Sequence, residues 1–457
     1  MQPYWELTFD ADGDVDAAQR GRLLSGAETE RVTDLLVFAH GWNNDQRTAR
    51  SLYRRFFEPF DRLAGPGVRL GYTGILWPAI RFPDEPIPDF EPSAAPPGVP
   101  RDPGDPTLDE PTRRLLEVVF PGPANAARID RLARLLQERS AVRSRLDEFA
   151  RHVRDLVAVR ESSPAHEFGD DLGAGEPAML TDDAVEVCEV FLAMLDDLGG
   201  TGGQEILGGL RGRLWNGAKE LLRQATYYAM KRRAGAIGQL GLGATLGLLA
   251  RDVPDIRVHL VGHSFGARLV SYGLRGMPAG VRCVKSTTLL QGAFSHYAFS
   301  ARLPHDRSRG GALSGVQRRV DGPLMCCYSR HDDALGKFYP LASKLAGDSA
   351  GFLNLWERWG ALGFDGIRAV DGARRVRLGE ALPARGCVSV DAAGVVRRGA
   401  GRPARRRAQR HLSRGTGTCR VRRGTDRPRR PVTLSGAGGT PRPAGTSAGS
   451  ATGRPGA

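Results

Sequence analysis

The chain has 457 residues, of which 41% are hydrophobic, and a formal charge of +14; this is core enough for one large domain or two to three ordinary ones. Residues 399–457 hold fourteen Arg and one Asp with no Lys or Glu, a net of +13, which leaves +1 for residues 1–398. A body that is electrically ordinary, with no basic face to follow a phosphate backbone, excludes a nucleic-acid-binding protein of the usual kind.

Six cysteines (Cys188, Cys283, Cys326, Cys327, Cys387 and Cys419) show no C-x-x-C spacing. That usage predicts free, mostly buried thiols in a reducing compartment, with Cys326 and Cys327 on opposite faces of a strand. Met1–Glu6 has no apolar signal core. Ala234–Ala250 is apolar, but it is short, glycine-loaded and interrupted by Gln239, which makes it poor as a membrane span. The expectation is a soluble, cytoplasmic protein.

In chain order, Tyr4–Phe9 alternates like an edge strand and ends in a turn cluster, Asp10–Asp16. Thr33–Ala39 reads as a buried strand that runs into His40-Gly41-Trp42-Asn43-Asn44-Asp45. Asn44 or Asp45 then caps a helix with Ala49, Leu52, Phe56, Phe57 and Phe60 at helical spacing. Val68–Ala79 is the next strand. Strand, helix, strand is the unit of a parallel sheet.

The alternation breaks at Pro83–Pro111, a proline-dense stretch that reads as a long surface excursion with neither helix nor central strand. Ala124–Ser163 contains no Gly. Its apolar residues (Ile129, Leu132, Leu136, Phe149, Val153) recur every three to four positions, which predicts one long helix or two. Thr181, Asp182 and Asp183 start another, with Val185, Cys188, Phe191 and Leu192 inside. After a glycine cluster, Leu214–Arg233 is amphipathic and is expected to pack back on the sheet. Residues 83–205 therefore read as a Pro-rich loop and helical cap inserted over the C-terminal edge of the strands. The core is divided into 1–82 and 206–398, and 399–457 is a disordered Arg/Gly/Pro-rich tail. The fold class expected is α/β, a mostly parallel central sheet with flanking helices.

Ile256–Val261 is a β-branched run. It is followed by Gly262-His263-Ser264-Phe265-Gly266 and then by Ala267–Leu274, a helix with Leu269, Val270 and Leu274 inward. Strand, Gly-x-Ser-x-Gly and helix together describe a nucleophile elbow. A second match, Gly445–Gly449 around Ser447, has neither strand before it nor helix after it and reads as accidental. Beyond the elbow, Ser286–Phe294, Pro323–Tyr328 and Cys387–Asp391 read as strands, Arg302–Val320 as loop with weak helix, and Tyr339–Leu345 as helix.

Acyl transfer needs a nucleophile, a base, a carboxylate to orient the base, and donors for the oxyanion. Ser264 is the nucleophile. The backbone amides of Trp42 and Phe265 are the oxyanion donors, with Gly41 allowing close approach; the alternative for His40-Gly41-Trp42 is a plain strand-to-helix turn. The acid is Asp332, just past a strand end. Asp333 suits a helix cap equally well, and both can also be read as surface turn acids.

These motifs resemble the α/β-hydrolase superfamily, in particular esterase/lipase-like intracellular hydrolases with a His-Gly-Trp-Asn-Asn oxyanion loop, over about residues 1–82 and 206–398. The resemblance implies the chain order Ser, Asp, His, with the histidine in a Ser-Gly-Ala-His-Ser-Asp segment soon after a last strand reading Val-Asp-Ala-Ser. Val390-Asp391-Ala392-Ala393 matches that strand, yet the histidine segment does not follow. By chain order His411 is the available base. His263, the elbow's variable position, and His259, in mid-strand, fit that role poorly. His152 and His166 belong to the cap, and His296 and His331 near strand ends are outside possibilities. Codons for Arg407–Leu412 shifted by one base admit Gly-His-Ser-Asp-Ile, so the tail reads either as out-of-frame sequence or as a genuine basic tail.

Two functions are expected to compete. One is a serine hydrolase of carboxylic esters, thioesters or amides, with a small-molecule or acyl substrate selected by the cap. The other is a hydrolase-fold binding protein without a positioned histidine. No metal or nucleotide motif stands out, so no cofactor is expected. Glu85, Asp102, Asp105 and the cluster His166-Glu167 with Asp170-Asp171 read as solvated groups without ligand spacing.

Overall fold

The computed structural model describes residues 3–42, 45–79, 107–159, 167–172, 176–197, 210–330 and 360–392. Eight strands form one sheet: β1 (Tyr4–Thr8), β2 (Asp34–Ala39), β3 (Leu70–Leu76), β4 (Arg257–His263), β5 (Val284–Leu290), β6 (Pro323–Tyr328), β7 (Arg374–Arg377) and β8 (Gly386–Asp391). Their order is β1-β3-β2-β4-β5-β6-β8-β7, and every neighbouring pair is parallel. This is the expected α/β architecture.

β2 beyond Asp34 and β6 are apolar runs because both faces of the sheet are covered. All six residues of β2 and all six of β6 are buried. Along β2 the side chains divide by parity: Leu35, Val37 and Ala39 enter one core cluster, Leu36 and Phe38 the other. Cys326 and Cys327 part in the same way, one to each cluster, as their adjacency on a strand predicts. The five described cysteines are all free and buried.

Helix α1 (Ala17–Thr29) buries Leu23 and Ala27 and is capped by Asp16. Helix α2 (Gln46–Phe57) is capped by Asp45, whose carboxylate accepts from the Thr48 amide at 2.6 Å. Tyr53, Phe56 and Phe57 of α2, with Phe60 of the single turn α3 (Phe60–Leu63), pack on the Leu36–Phe38 face. β1 is an edge strand, as its alternation predicts. The opposite edge is β7, not anticipated in the sequence, where Arg374, Arg375 and Arg377 are exposed and blunt the open edge with charge.

Between β3 and β4 lie α4 (Glu110–Val119), α5 (Pro123–Glu138), α6 (Arg143–Val157), the turn α7 (Ala178–Thr181), α8 (Ala184–Asp197), α9 (Leu210–Ala236) and α10 (Gly243–Asp252). Pro111 falls inside α4 and not in an excursion. It occupies the first turn, where its missing N–H would have had no intrahelical acceptor, and Asp109 caps the helix. The long apolar pattern resolves into two helices that break at Arg139, a left-handed residue (φ 45°). The cap of α8 is Asp183, which accepts from the Val185 and Glu186 amides.

The run from Leu210 to Asp252 is helical throughout, with a wider six-residue turn at Ile237–Leu242. At 1.5 Å per residue it is about 64 Å long, against about 23 Å for a seven-residue strand. It feeds β4, and Tyr227 along it meets Trp42, just after β2. α9 packs against α5, α6 and α8. Trp215 lies edge-on to Phe149 and donates to the Ser140 carbonyl. Leu132, Phe149 and Phe191 belong to the same apolar cluster as Leu35 and Leu260, so these helices share one continuous core with the sheet. The glycines of Ala234–Ala250 serve a helix crossing: a Cβ on Gly238 would lie 2.2 Å from the Leu269 carbonyl of α11 (Phe265–Gly276). Among the described residues no helix is long and apolar enough to cross a membrane.

Candidate functional site

β4 ends at His263 and α11 begins at Phe265, leaving Ser264 alone to turn the chain. Its backbone lies at φ 54°, ψ −118°, a conformation that costs a non-glycine residue about 1–3 kcal/mol and persists only when its surroundings over-determine it. They do so here. The Ser264 amide donates to the Leu290 carbonyl at 2.9 Å, and its own carbonyl accepts from Ala267 at 3.1 Å and Ala293 at 3.3 Å. The glycines on either side are required by contact: a Cβ on Gly262 would lie 2.3 Å from the Gly266 carbonyl, and one on Gly266 would lie 2.0 Å from the Ala39 carbonyl. Ser264 is left partly exposed above a buried strand end. The next strand ends in the same way: Gln291, following β5, has φ 47° and is buried.

The loop after β2 reaches the elbow by register. Ala39 pairs with Gly262, which brings Gly41 beside Ser264; a Cβ on Gly41 would lie 2.9 Å from that of Ser264. His40 is fully buried and holds the loop from behind. Its amide donates to the Tyr53 hydroxyl at 3.0 Å, its carbonyl accepts from Trp77 Nε1 at 3.1 Å, and its ring stacks on Trp77. His40 Nδ1 lies 2.7 Å from the Gly41 carbonyl. A carbonyl only accepts, so Nδ1 carries the proton. In a trans peptide the C=O and N–H point in opposite directions, so the Trp42 amide is turned away from the His40 ring. The Phe265 amide opens α11 and is one of the N–H groups no intrahelical carbonyl reaches.

The two imidazoles beside the serine are kept neutral. Burial pushes His40 down to about 4, with its bond to the Gly41 carbonyl opposing. Burial likewise pushes His263 down to about 4, opposed by a hydrogen bond with Gln291.

Below the elbow is a buried ion network. Arg268, one turn into α11, is fully buried; it pairs with Asp171 and donates to the Lys231 and Phe168 carbonyls. Lys231 Nζ lies 3.0 Å from Asp171, whose other contacts include the Ser295 amide at 3.2 Å. Burial alone would raise the Asp171 carboxyl, but Arg268 and Lys231 hold it well below the usual range. Asp171 is thus a buried counter-ion and not the solvated acid its sequence context suggests.

Ser264, Phe265, Gly41 and Trp42 are therefore brought together at one strand edge. Asp332 and His411 lie outside the described residues, as do Asp333, His331 and Ser447. Among the described residues no imidazole is hydrogen-bonded to the Ser264 hydroxyl, and no group of His, Cys, Asp or Glu is arranged to hold a metal ion. His296 is buried beside Asp365, 3.6 Å away. A second Ser–His–Asp arrangement lies at the opposite end of the strands. There His259 Nδ1 is 2.8 Å from Ser286 Oγ and Nε2 is 3.1 Å from Asp34, to which Arg257 also donates through Nε and Nη2. Sequence reasoning missed Gln291 and Tyr227 beside the elbow, since neither falls in a motif. Comparison with protein-family models, curated proteins and solved structures returns no match for the chain.

Proposed function

We propose that the protein is a serine hydrolase of the α/β-hydrolase type that cleaves a carboxylic ester, thioester or amide through an acyl-enzyme on Ser264. The observation that carries this reading is the left-handed backbone of Ser264 between β4 and α11, with the Gly41 loop against it. Such strain on a non-glycine residue, held by three backbone hydrogen bonds, serves a purpose that ordinary strand-to-helix packing does not need. It raises the hydroxyl above the sheet at the N-terminus of α11.

In this reading Ser264 Oγ attacks the carbonyl carbon as its proton passes to a general base. Negative charge collects on the carbonyl oxygen between the Trp42 and Phe265 amides, and collapse expels the alcohol, thiol or amine. Water then releases the acid by the same path. The resemblance assigns the orienting carboxylate to Asp332 and the base to the chain beyond β8, where His411 is the histidine this sequence offers. His40 and His263 are unsuited to be that base, since burial keeps each one a weak proton acceptor near neutral pH.

The competing reading, a hydrolase-fold protein that binds without turnover, is favoured by the sequence after Val390-Asp391-Ala392-Ala393, which does not continue into the histidine segment that the resemblance implies. A fluorophosphonate probe and p-nitrophenyl esters separate the two. Hydrolysis and labelling that are lost in Ser264→Ala support the hydrolase, and a wild-type protein inert to both removes it.

A further inference from the structure

We propose that Tyr227, on α9, is a positioning residue for the oxyanion hole, its ring holding the two donor residues in register. This rests on the hydrolase reading of Ser264.

The two amides assigned to the oxyanion belong to Trp42 and Phe265, which arrive from the ends of different strands. Their own rings meet only loosely, with centroids 6.4 Å apart. Tyr227 touches both more closely, 4.5 Å from Phe265 and 5.0 Å from Trp42, the latter edge-on at 85°. Phe265 is fully buried. An aromatic side chain has two rotatable bonds, so a ring held in place constrains the backbone amide nitrogen three bonds behind it. The Trp42 loop is anchored from behind by His40 and Trp77. On its other side Gly41, whose Cβ position is already filled by Ser264 and His263, has no side chain to anchor it. Tyr227 supplies that lateral contact.

The role is particular to this position on α9. Tyr228, the next residue, turns to Gly169 and carries the Arg232 guanidinium 4.7 Å above its ring. Lys231, one turn on, is taken by Asp171. Tyr227 is thus where α9, the helix against which α5, α6 and α8 pack, touches Trp42 and Phe265. Oxyanion donors act through distance, and a misplacement of about 1 Å costs about a hundredfold in rate.

The experiment compares Tyr227→Leu and Tyr227→Met, which keep apolar bulk without a ring, with Tyr227→Phe, which keeps the ring. Each full-length protein is assayed for fluorophosphonate labelling rate, for kcat and KM on p-nitrophenyl butyrate, and for melting temperature. The expected result is a fall of about tenfold to a hundredfold in kcat and in labelling rate for Leu and Met, with KM and melting temperature near wild type. Phe restores both rates to within about threefold, because the ring and not the hydroxyl does the positioning. Wild-type rates in Tyr227→Leu overturn the proposal, as does an equal loss in Tyr227→Phe. A melting temperature that falls in step with the rate, or failure of both ring-less variants to fold, assigns Tyr227 to packing and overturns it too. These outcomes differ from failure of the hydrolase reading itself, in which wild type does not label at all.

Discussion

Replacing Gly266 with Ala adds one methyl group where the first turn of α11 crosses β2. The added Cβ would lie 2.0 Å from the Ala39 carbonyl oxygen and 2.4 Å from that of His40. Ordinary contact begins near 3.4 Å, so the start of α11 must retreat from β2 by about 1.4 Å. Neither obstacle is the free end of a flexible side chain. Both are backbone carbonyls at the end of a buried strand, where the sheet resists movement. Helix propensity favours Ala over Gly by about 1 kcal/mol, but overpacking a rigid contact costs about 1–3 kcal/mol or more, so the net effect is a loss. Under the proposed hydrolase function, the retreat should also separate the Phe265 amide from the Trp42 amide and lower kcat/KM by about a hundredfold. Gly21, exposed on α1 with nothing within 4 Å of its Cβ position, is the control: Ala there should stabilise by about 0.5–1 kcal/mol. Denaturant midpoints read the stability arm, and p-nitrophenyl ester kinetics the activity arm. A Gly266→Ala protein with the wild-type midpoint refutes the close-approach argument, whatever its activity.

His40 should make stability fall in mild acid. Its folded-state pKa is about 4 against an unfolded value near 6.5. The unfolded chain therefore takes up the proton first, and stability is complete above about pH 6.5 and declines by about 1.4 kcal/mol per unit down to about pH 4. His40→Gln should reduce the slope of stability against pH between pH 7 and 5 by up to about 1.4 kcal/mol per unit, leaving the similar share of His263, and identical slopes in the two proteins would contradict the assignment. Asp171→Asn leaves Arg268 and Lys231 buried without their shared carboxylate and should cost about 3–5 kcal/mol in a melt; a change below about 1 kcal/mol would show that the network is solvated. Ser286→Ala, in the second Ser–His–Asp arrangement, should leave fluorophosphonate labelling intact, because Ser286 is buried within β5 and not held out at a strand-to-helix turn. Loss of labelling in that variant would move the nucleophile away from Ser264.

The parallel sheet was readable because strands such as β2 and β6 are short, largely apolar runs, and the elbow because its geometry is encoded in five consecutive residues. Where a feature depends on a partner far along the chain, local pattern does not show it. Asp171 sits among acids and glycines and looks solvated until Arg268, 97 residues later, folds against it. Helix α1 escaped notice because only Leu23 and Ala27 face inward, too few to make a stripe. β7 escaped because Val376 is its single buried residue, and a run of arginines around it does not suggest a strand. Pro111 shows the converse error: a residue that forbids helix interiors is at home in a first turn. At the site, Ser264 and the glycines were legible. Tyr227 was not, because what places it is the phase of a 27-residue helix against two strand ends.

The distribution of the cysteines gives the molecule internal clocks. Cys188 lies in α8 among the inserted helices, while Cys283, Cys326, Cys327 and Cys387 lie in or beside the sheet. Burial raises the Cys188 thiol to about 12 and those of Cys283 and Cys387 to about 11, so none reacts from the closed state. In a Cys419→Ser background, a thiol-specific dye therefore waits for each region to open. If the insertion can detach while the sheet holds, Cys188 is modified first and the other four follow on the slower timescale of global unfolding. Because the inserted helices and the sheet share one apolar cluster, the order of modification measures whether that continuity makes them a single cooperative unit.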